Sequence, residues 1–282
     1  MAQLSCAYQD KHNDLRERIL NPMDRTIIAL PFVCGMFIGM LICLEIGRKL
    51  GKKAIGKDPQ LMASHNVVDG AVFALYGLLL AFTFSGAPGR LDKRRELVAV
   101  EANAIGTAYL RLDLLAPDSQ PALRDQFRQY VDTRIAAYRK LPDIEAAEKE
   151  LAVSEKLQKQ IWTNAIAATR SSGLHPEAGK MLIPALNEMF DITTTRTMAA
   201  RVHPPTIIFG LLFVMALVCS LMAGYGMAVS KERSWFHILA FTTVAVVTVF
   251  VVLEIEYPRI GFLTVENRYD QLLVDLRWNM NE

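Results

Sequence analysis

The side chains with chemistry to offer gather at two places. Arg90, Asp92, Lys93, Arg94, Arg95 and Glu96 follow an apolar run that stops at Ala87. Glu254, Glu256 and Arg259 follow another that stops at Leu253. Guanidinium and carboxylate groups at the end of a membrane helix can anchor it at the headgroups and set its orientation. They can pair with one another, or select ions at the mouth of a passage. Anchoring is the commonest use. Pairing predicts that Glu254 or Glu256 meets one of Arg90, Arg94 or Arg95. Pro258 and Gly261 are then expected to shape a tight turn that returns Glu254, Glu256 and Arg259 to the membrane surface.

Other chemistry is missing from the sequence. His12, His65, His175, His203 and His237 are scattered, and none stands at metal-ligand spacing with a second His or Cys. There is no Cys-x-x-Cys pair, no Gly-rich phosphate loop and no nucleophile elbow. We therefore expect no enzyme, no cofactor and no metal site. The net charge of +2 provides no polycationic surface for nucleic acid. The tripeptide Gly224-Tyr225-Gly226 lies inside an apolar run, where packing is its natural role.

These clusters must be positioned by helices. A span needs about 20 mostly apolar residues, and four segments qualify: 26–46, 67–87, 205–229 and 235–253. The second carries Asp69 near its start. The expected organisation is a polar N-terminal tail over 1–25 and two spans within 26–87. A helical domain over 88–203, two more spans within 204–253 and a C-terminal tail over 254–282 follow. Within the middle domain, helices are expected over 89–115, 120–140, 144–170 and 176–201, with Asp118 or Ser119 capping the second. No alternating strand pattern occurs. The fold class is all-α: four transmembrane helices with a cytoplasmic helical domain inserted between helices 2 and 3.

An even number of spans puts both termini and the middle domain on one side. Lys11, Arg16, Arg18, Arg25, Arg90, Lys93, Arg94, Arg95, Arg196, Arg201 and Arg259 lie there. The opposite loops carry Arg48, Lys49, Lys52, Lys53, Lys57, Lys231 and Arg233. The balance predicts a cytoplasmic middle domain. The polar first 25 residues do not read as a signal peptide. No charge sits at the centre of a span, which argues against an ion-coupled carrier.

Small residues recur along three spans: Gly35, Gly39, Cys43, Gly47 and Gly51; Gly70, Ala74, Gly77, Ala81 and Ser85; Ala216, Ser220, Gly224 and Ala228. Such stripes let helix backbones approach in lipid, within one subunit or between copies. Beyond Pro88, Asp92, Glu96, Asn103, Thr107 and Arg111 share one narrow helical face beside a wide apolar one. That face is either a solvated or paired edge of a bundle, or the lining of water continuous with a passage.

The stretch at 78–111 reads LLLAFTFS, then R-x-D-x-R-R-x-L-x-x-x-E-A-N-A-I-G-T-A-Y-L-R, and 254–266 reads EIEYPRIGFLTVE. Both resemble signatures of a bacterial membrane family called bestrophin-like. The family more often carries Asp where Glu254 and Glu256 stand. The resemblance marks Arg90, Asp92, Arg94, Arg95, Glu101, Asn103, Gly106, Thr107, Arg111, Glu254, Glu256, Pro258, Arg259 and Gly261. It is similar, more distantly, to true bestrophins, which are pentameric, mostly anion-conducting channels. The acidic calcium clasp of those channels is absent, so calcium gating does not carry over.

The resemblance implies a homo-oligomeric channel for small ions, anions before cations, in the bilayer of a bacterial inner membrane. It also implies a passage narrowed by apolar side chains at four-residue spacing on the second span. Here these are Tyr76, Leu80 and Phe84, expected to face a central axis while the Gly77, Ala81 and Ser85 stripe packs on a neighbouring helix. The rival expectation is a non-conducting scaffold or motor-stator-like subunit that passes force or signal to a partner chain.

Overall fold

The computed structural model describes residues 22–55, 66–140, 143–170, 177–229, 235–257 and 267–281. Among these the regular structure is helical, with no strand. The helices are α1 (Pro22–Ile55), α2 (Asn66–Leu110), α3 (Gln120–Arg139), α4 (Ile144–Ala168), α5 (Ala178–Arg201), α6 (Thr206–Gly226), α7 (Trp235–Glu256) and α8 (Asn267–Asn279). Four stretches are long and apolar enough to cross a membrane, carried by α1, α2, α6 and α7. At about 1.5 Å per residue, the 45 residues of α2 far exceed the ~30 Å hydrocarbon core. The expected helix starting near residue 89 is thus a continuation of the second span, and Pro88 lies inside it.

The described chain divides into two compact units. One comprises Thr26–Arg90 and His203–Tyr257 and holds the four apolar spans. Its core is built from Val33, Met36, Met40, Tyr76, Leu212, Ala216, Cys219, Ala245, Val246 and Val249. Phe32 meets Phe213 at 5.3 Å between ring centroids, and Phe73 meets Phe241 edge-on at 6.0 Å. The outward side chains are equally apolar, among them Ile38, Ile42, Leu78, Phe82, Val214 and Val244. Water would penalise that surface and hydrocarbon does not. The hydroxyls of Thr83, Ser220 and Thr248 donate to carbonyls one turn back, as lipid requires of polar groups without water.

Two of the small-residue stripes meet in this unit. Ala216, Ser220, Gly224 and Ala228 are all buried, as are Gly47 and Gly51. A Cβ on Gly47 would collide with the carbonyl oxygen of Leu221, and one on Gly224 with that of Leu44. A Cβ on Gly39 would stand 3.0 Å from Leu217 Cδ2. The α1–α6 crossing is therefore backbone against backbone, a spacing only glycine permits there.

The other unit contains Leu91–Val202 together with α8. Its core joins Ile105, Tyr109 and Leu112 of the α2 end to Phe127, Tyr130, Ile161, Leu182, Leu186 and Met189. Asp143 caps α4 by accepting from the Ala146 amide at 3.0 Å. Ser119 stands at the N-cap position of α3 but makes no side-chain cap bond; Pro121 lies in the first turn instead. The C-terminal α8 docks through Leu273, Leu276 and Met280. The Met280 carbonyl accepts from Tyr109 Oη and Arg128 Nε, each at 3.0 Å, and Arg277 Nε donates to Asp132 at 2.9 Å.

Candidate functional site

The membrane unit holds an ionic cluster where its helices end. Glu256, in the last turn of α7, is fully buried. Arg90 of α2 donates Nε–H to Glu256 Oε1 at 2.7 Å and adds an Nη2–H to the same oxygen. The other oxygen, Oε2, faces His203 Nδ1 at 3.8 Å. The imidazole lies on the Tyr257 ring, with centroids 4.5 Å apart and planes 26° from parallel. Next to the cluster, the packing around Ala87 and Val252 is apolar, from Phe32, Phe209, Leu253 and Ile255. Low local polarity strengthens the Arg90–Glu256 attraction and makes an unpaired Glu256 costly. Glu256, one of the two acidic residues at the end of the fourth span, meets the basic cluster at Arg90. Glu254 is buried as well. The expected turn at Pro258, Arg259 and Gly261 lies outside the described residues.

The helical unit has its own buried ions. Glu101 of α2 accepts from Arg134 Nε of α3 at 2.6 Å and, on its other oxygen, from Arg196 Nη1 of α5. All three side chains are buried. The Tyr138 ring covers Arg196 with the guanidinium carbon 3.6 Å from its centroid, and Tyr138 Oη accepts from Arg134 Nη2 at 2.8 Å. Burial opposes the Arg134 charge, but the Glu101 carboxylate outweighs it and holds the guanidinium above its ordinary range. Nearby, Tyr130 Oη shares a 2.7 Å bond with Thr193 and accepts from Gln158 at 3.2 Å. Burial pushes that phenol up.

The remaining marker residues are spread over the α2 face. Asp92 is exposed and accepts from Arg95 at 3.2 Å. Arg94 is half-buried, and Asn103 and Thr107 are exposed. Gly106 gives room to α8, because a Cβ there would lie 3.3 Å from Leu276 Cδ1. Arg111 donates to the Met181 carbonyl at 2.6 Å. So Glu256 and Arg90 come together in one unit, Glu101 stands in another cluster, and Asn103 and Thr107 face outward. Arg134, Arg196, Tyr138 and His203 complete the two clusters and were not singled out by motif.

On the second span, Tyr76 is buried in the bundle core, Leu80 is half-buried against it, and Phe84 is 42% exposed. Gly70, Ala74, Gly77, Ala81 and Ser85 are all exposed, and a Cβ on Gly70 or Gly77 would meet nothing within 4 Å. Within one chain, then, the bulky stripe begins inside the bundle at Tyr76, and the small-residue stripe is uncovered. Among the described residues no group of three or more His, Cys, Asp or Glu could hold a metal ion.

The Bestrophin-like domain matches residues 46–268, most of the chain. The chain belongs to the bestrophin-like family, and is a membrane protein related to bestrophin channels. Neither a curated protein nor a solved structure matches it.

Proposed function

We propose that the chain is one subunit of a homo-oligomeric ion channel in a bacterial inner membrane, passing anions in preference to cations. The middle domain and both termini lie in the cytoplasm, and the assembly is a pentamer by likeness to bestrophins. One observation carries this reading. The most apolar window of the second span is only 6% buried by its own chain, against 28–33% for the other three spans. A span so little covered has a face to share with copies around an axis. The uncovered side includes the small-residue stripe as well as Leu75, Leu78 and Phe82, and we place Gly77, Ala81 and Ser85 nearer the axis than Tyr76, with Phe84 at its flank.

Planar-bilayer recording of the purified chain, with ion substitution, tests the proposal. Conductance that follows the anion gradient supports it. A folded, oligomeric but silent chain that co-purifies with a stoichiometric partner points to the scaffold instead.

A further inference from the structure

The interior of the membrane unit contains polar groups that its own helices leave unanswered. Tyr76 of α2, Thr242 of α7 and Arg48 of α1 are buried, none more than 7% exposed. Tyr76 Oη, Thr242 Oγ1 and Arg48 Nε have no hydrogen-bond partner among the described residues. A buried polar group without a partner costs free energy, and the hydrocarbon core has no water to offer one. Neighbouring hydroxyls show the usual solution, since Ser220 and Thr248 donate to carbonyls one turn back. Thr242 does not.

Tyr76 belongs to the core that also holds Met36, Met40, Cys219, Ala245 and Val246. Thr242 shares the buried face of α7 with Ala245, Val246 and Val249. Phe73 and Phe241, which meet edge-on, lie three residues before Tyr76 and one before Thr242. The two hydroxyls therefore stand within about a turn of one another along the bundle. On α1, Arg48 follows Met36, Met40 and Leu44 in a buried row of four-residue steps, and ends that row with a cation.

The three groups have a common chemistry. A guanidinium donates hydrogen bonds and accepts none, and both hydroxyls are free to donate. No carboxylate belongs to this core. Donors around one positive charge, with no acceptor supplied, suit a bound anion. Low local polarity strengthens both the attraction to Arg48 and each hydrogen bond to an ionised acceptor.

We propose that Tyr76 and Thr242 hold a small inorganic anion of the halide class inside each subunit's own helix bundle, with Arg48 supplying the compensating charge. The site is separate from a passage shared between copies, because Tyr76 lies on the own-chain side of α2. It takes the class of ion assigned to the channel but requires no current, so its test is independent of conduction.

Thermal unfolding of the purified full chain in lipid nanodiscs tests this, with chloride or bromide replaced by gluconate at constant ionic strength. Halide should raise the midpoint by several degrees, and the rise should follow a one-site dependence on concentration. Tyr76→Phe and Thr242→Val keep the shape of each side chain without its hydroxyl, and should each remove most of the halide shift. Arg48→Gln should do the same. Thr248→Val, at a hydroxyl that already has its carbonyl, should keep the wild-type shift. Equal midpoints in halide and gluconate, or a shift that survives both Tyr76→Phe and Thr242→Val, overturns the proposal.

Discussion

Gly47 and Gly224 stand in a reciprocal relation across the α1–α6 crossing. Each presents its missing Cβ to a carbonyl of the opposite helix, Leu221 for Gly47 and Leu44 for Gly224. Gly47→Ala and Gly224→Ala must each force backbone apart, whereas Gly35→Ala and Gly77→Ala enter open space. Overpacking a well-fitted contact typically costs about 1–3 kcal/mol and more where backbone must move. The first pair should sharply lower the yield of monodisperse protein in detergent, and the second pair should leave the monomer's stability unchanged. Equal behaviour of all four would mean that the crossing is not tight.

The Arg90–Glu256 pair is asymmetric in burial: the arginine side chain is 32% exposed and the glutamate 0%. Without Glu256, Arg90 still reaches solvent, whereas without Arg90 the fully buried Glu256 carboxylate loses both N–H donors on Oε1. Arg90→Ala should therefore destabilise more than Glu256→Gln, the former by about 3–5 kcal/mol. The two changes together should cost less than their sum, with a coupling of about 1–3 kcal/mol. Strict additivity in thermal unfolding would remove the pairing from the energetics.

Glu101 holds two arginines from two other helices in the helical unit. Glu101→Gln leaves both guanidiniums buried with a neutral partner, and an approximate cost of 3–5 kcal/mol is expected. Asn103→Ala, two residues on and exposed, should stay within about 0.5 kcal/mol. If tryptophan fluorescence unfolding curves of the two coincide, the cluster is not a stabilising one.

These contrasts show where the sequence was readable. Composition and span length disclose four apolar helices because lipid leaves few other solutions. The α1 and α6 stripes were legible because small residues at fours leave a visible groove. The partners of Glu101 were hidden in motif reading but not in periodicity. Arg134 falls in the apolar stripe of Phe127, Tyr130 and Val131, and Arg196 falls three residues after Thr193, itself four after Met189. A charge at a core position implies a partner, although one sequence does not say which. Four-residue spacing does not hold one face on the second span, for a geometric reason. Steps of four advance 400° on a 3.6-residue helix, so Tyr76, Leu80 and Phe84 drift about 80° across the face. Tyr76 is inside and Phe84 has turned outward.

Orientation can be read by labelling. In a chain lacking the native cysteines, Asp118→Cys places a thiol at an exposed position of the helical unit. Ser230→Cys places one between the last two spans. With the middle domain cytoplasmic, a membrane-impermeant maleimide should label position 230 in intact cells and position 118 only after lysis. The reverse pattern would invert the proposed topology.

The face of α2 that copies share decides the pore assignment. Steps of three and four keep Gly70, Ala74, Gly77, Ala81 and Ser85 on one side of the helix, and all are uncovered. The own-chain side carries Tyr76, Leu79 and Leu80. If copies assemble around the uncovered face, cysteines at 81 and 85 lie on or beside the passage, and a charged thiol reagent should block current there. Cysteines at 76 and 80 point into the bundle and should be unaffected. Ala81→Phe adds a bulky ring on the proposed passage face, and should lower single-channel conductance without lowering thermal stability, since Ala81 is exposed and, among the described residues, a Cβ on neighbouring Gly77 would meet nothing within 4 Å. Block at 76 and 80 with none at 81 and 85 would return the axis to the bulky face. Silence of the wild type and every variant, with oligomers intact, would replace the channel with the scaffold.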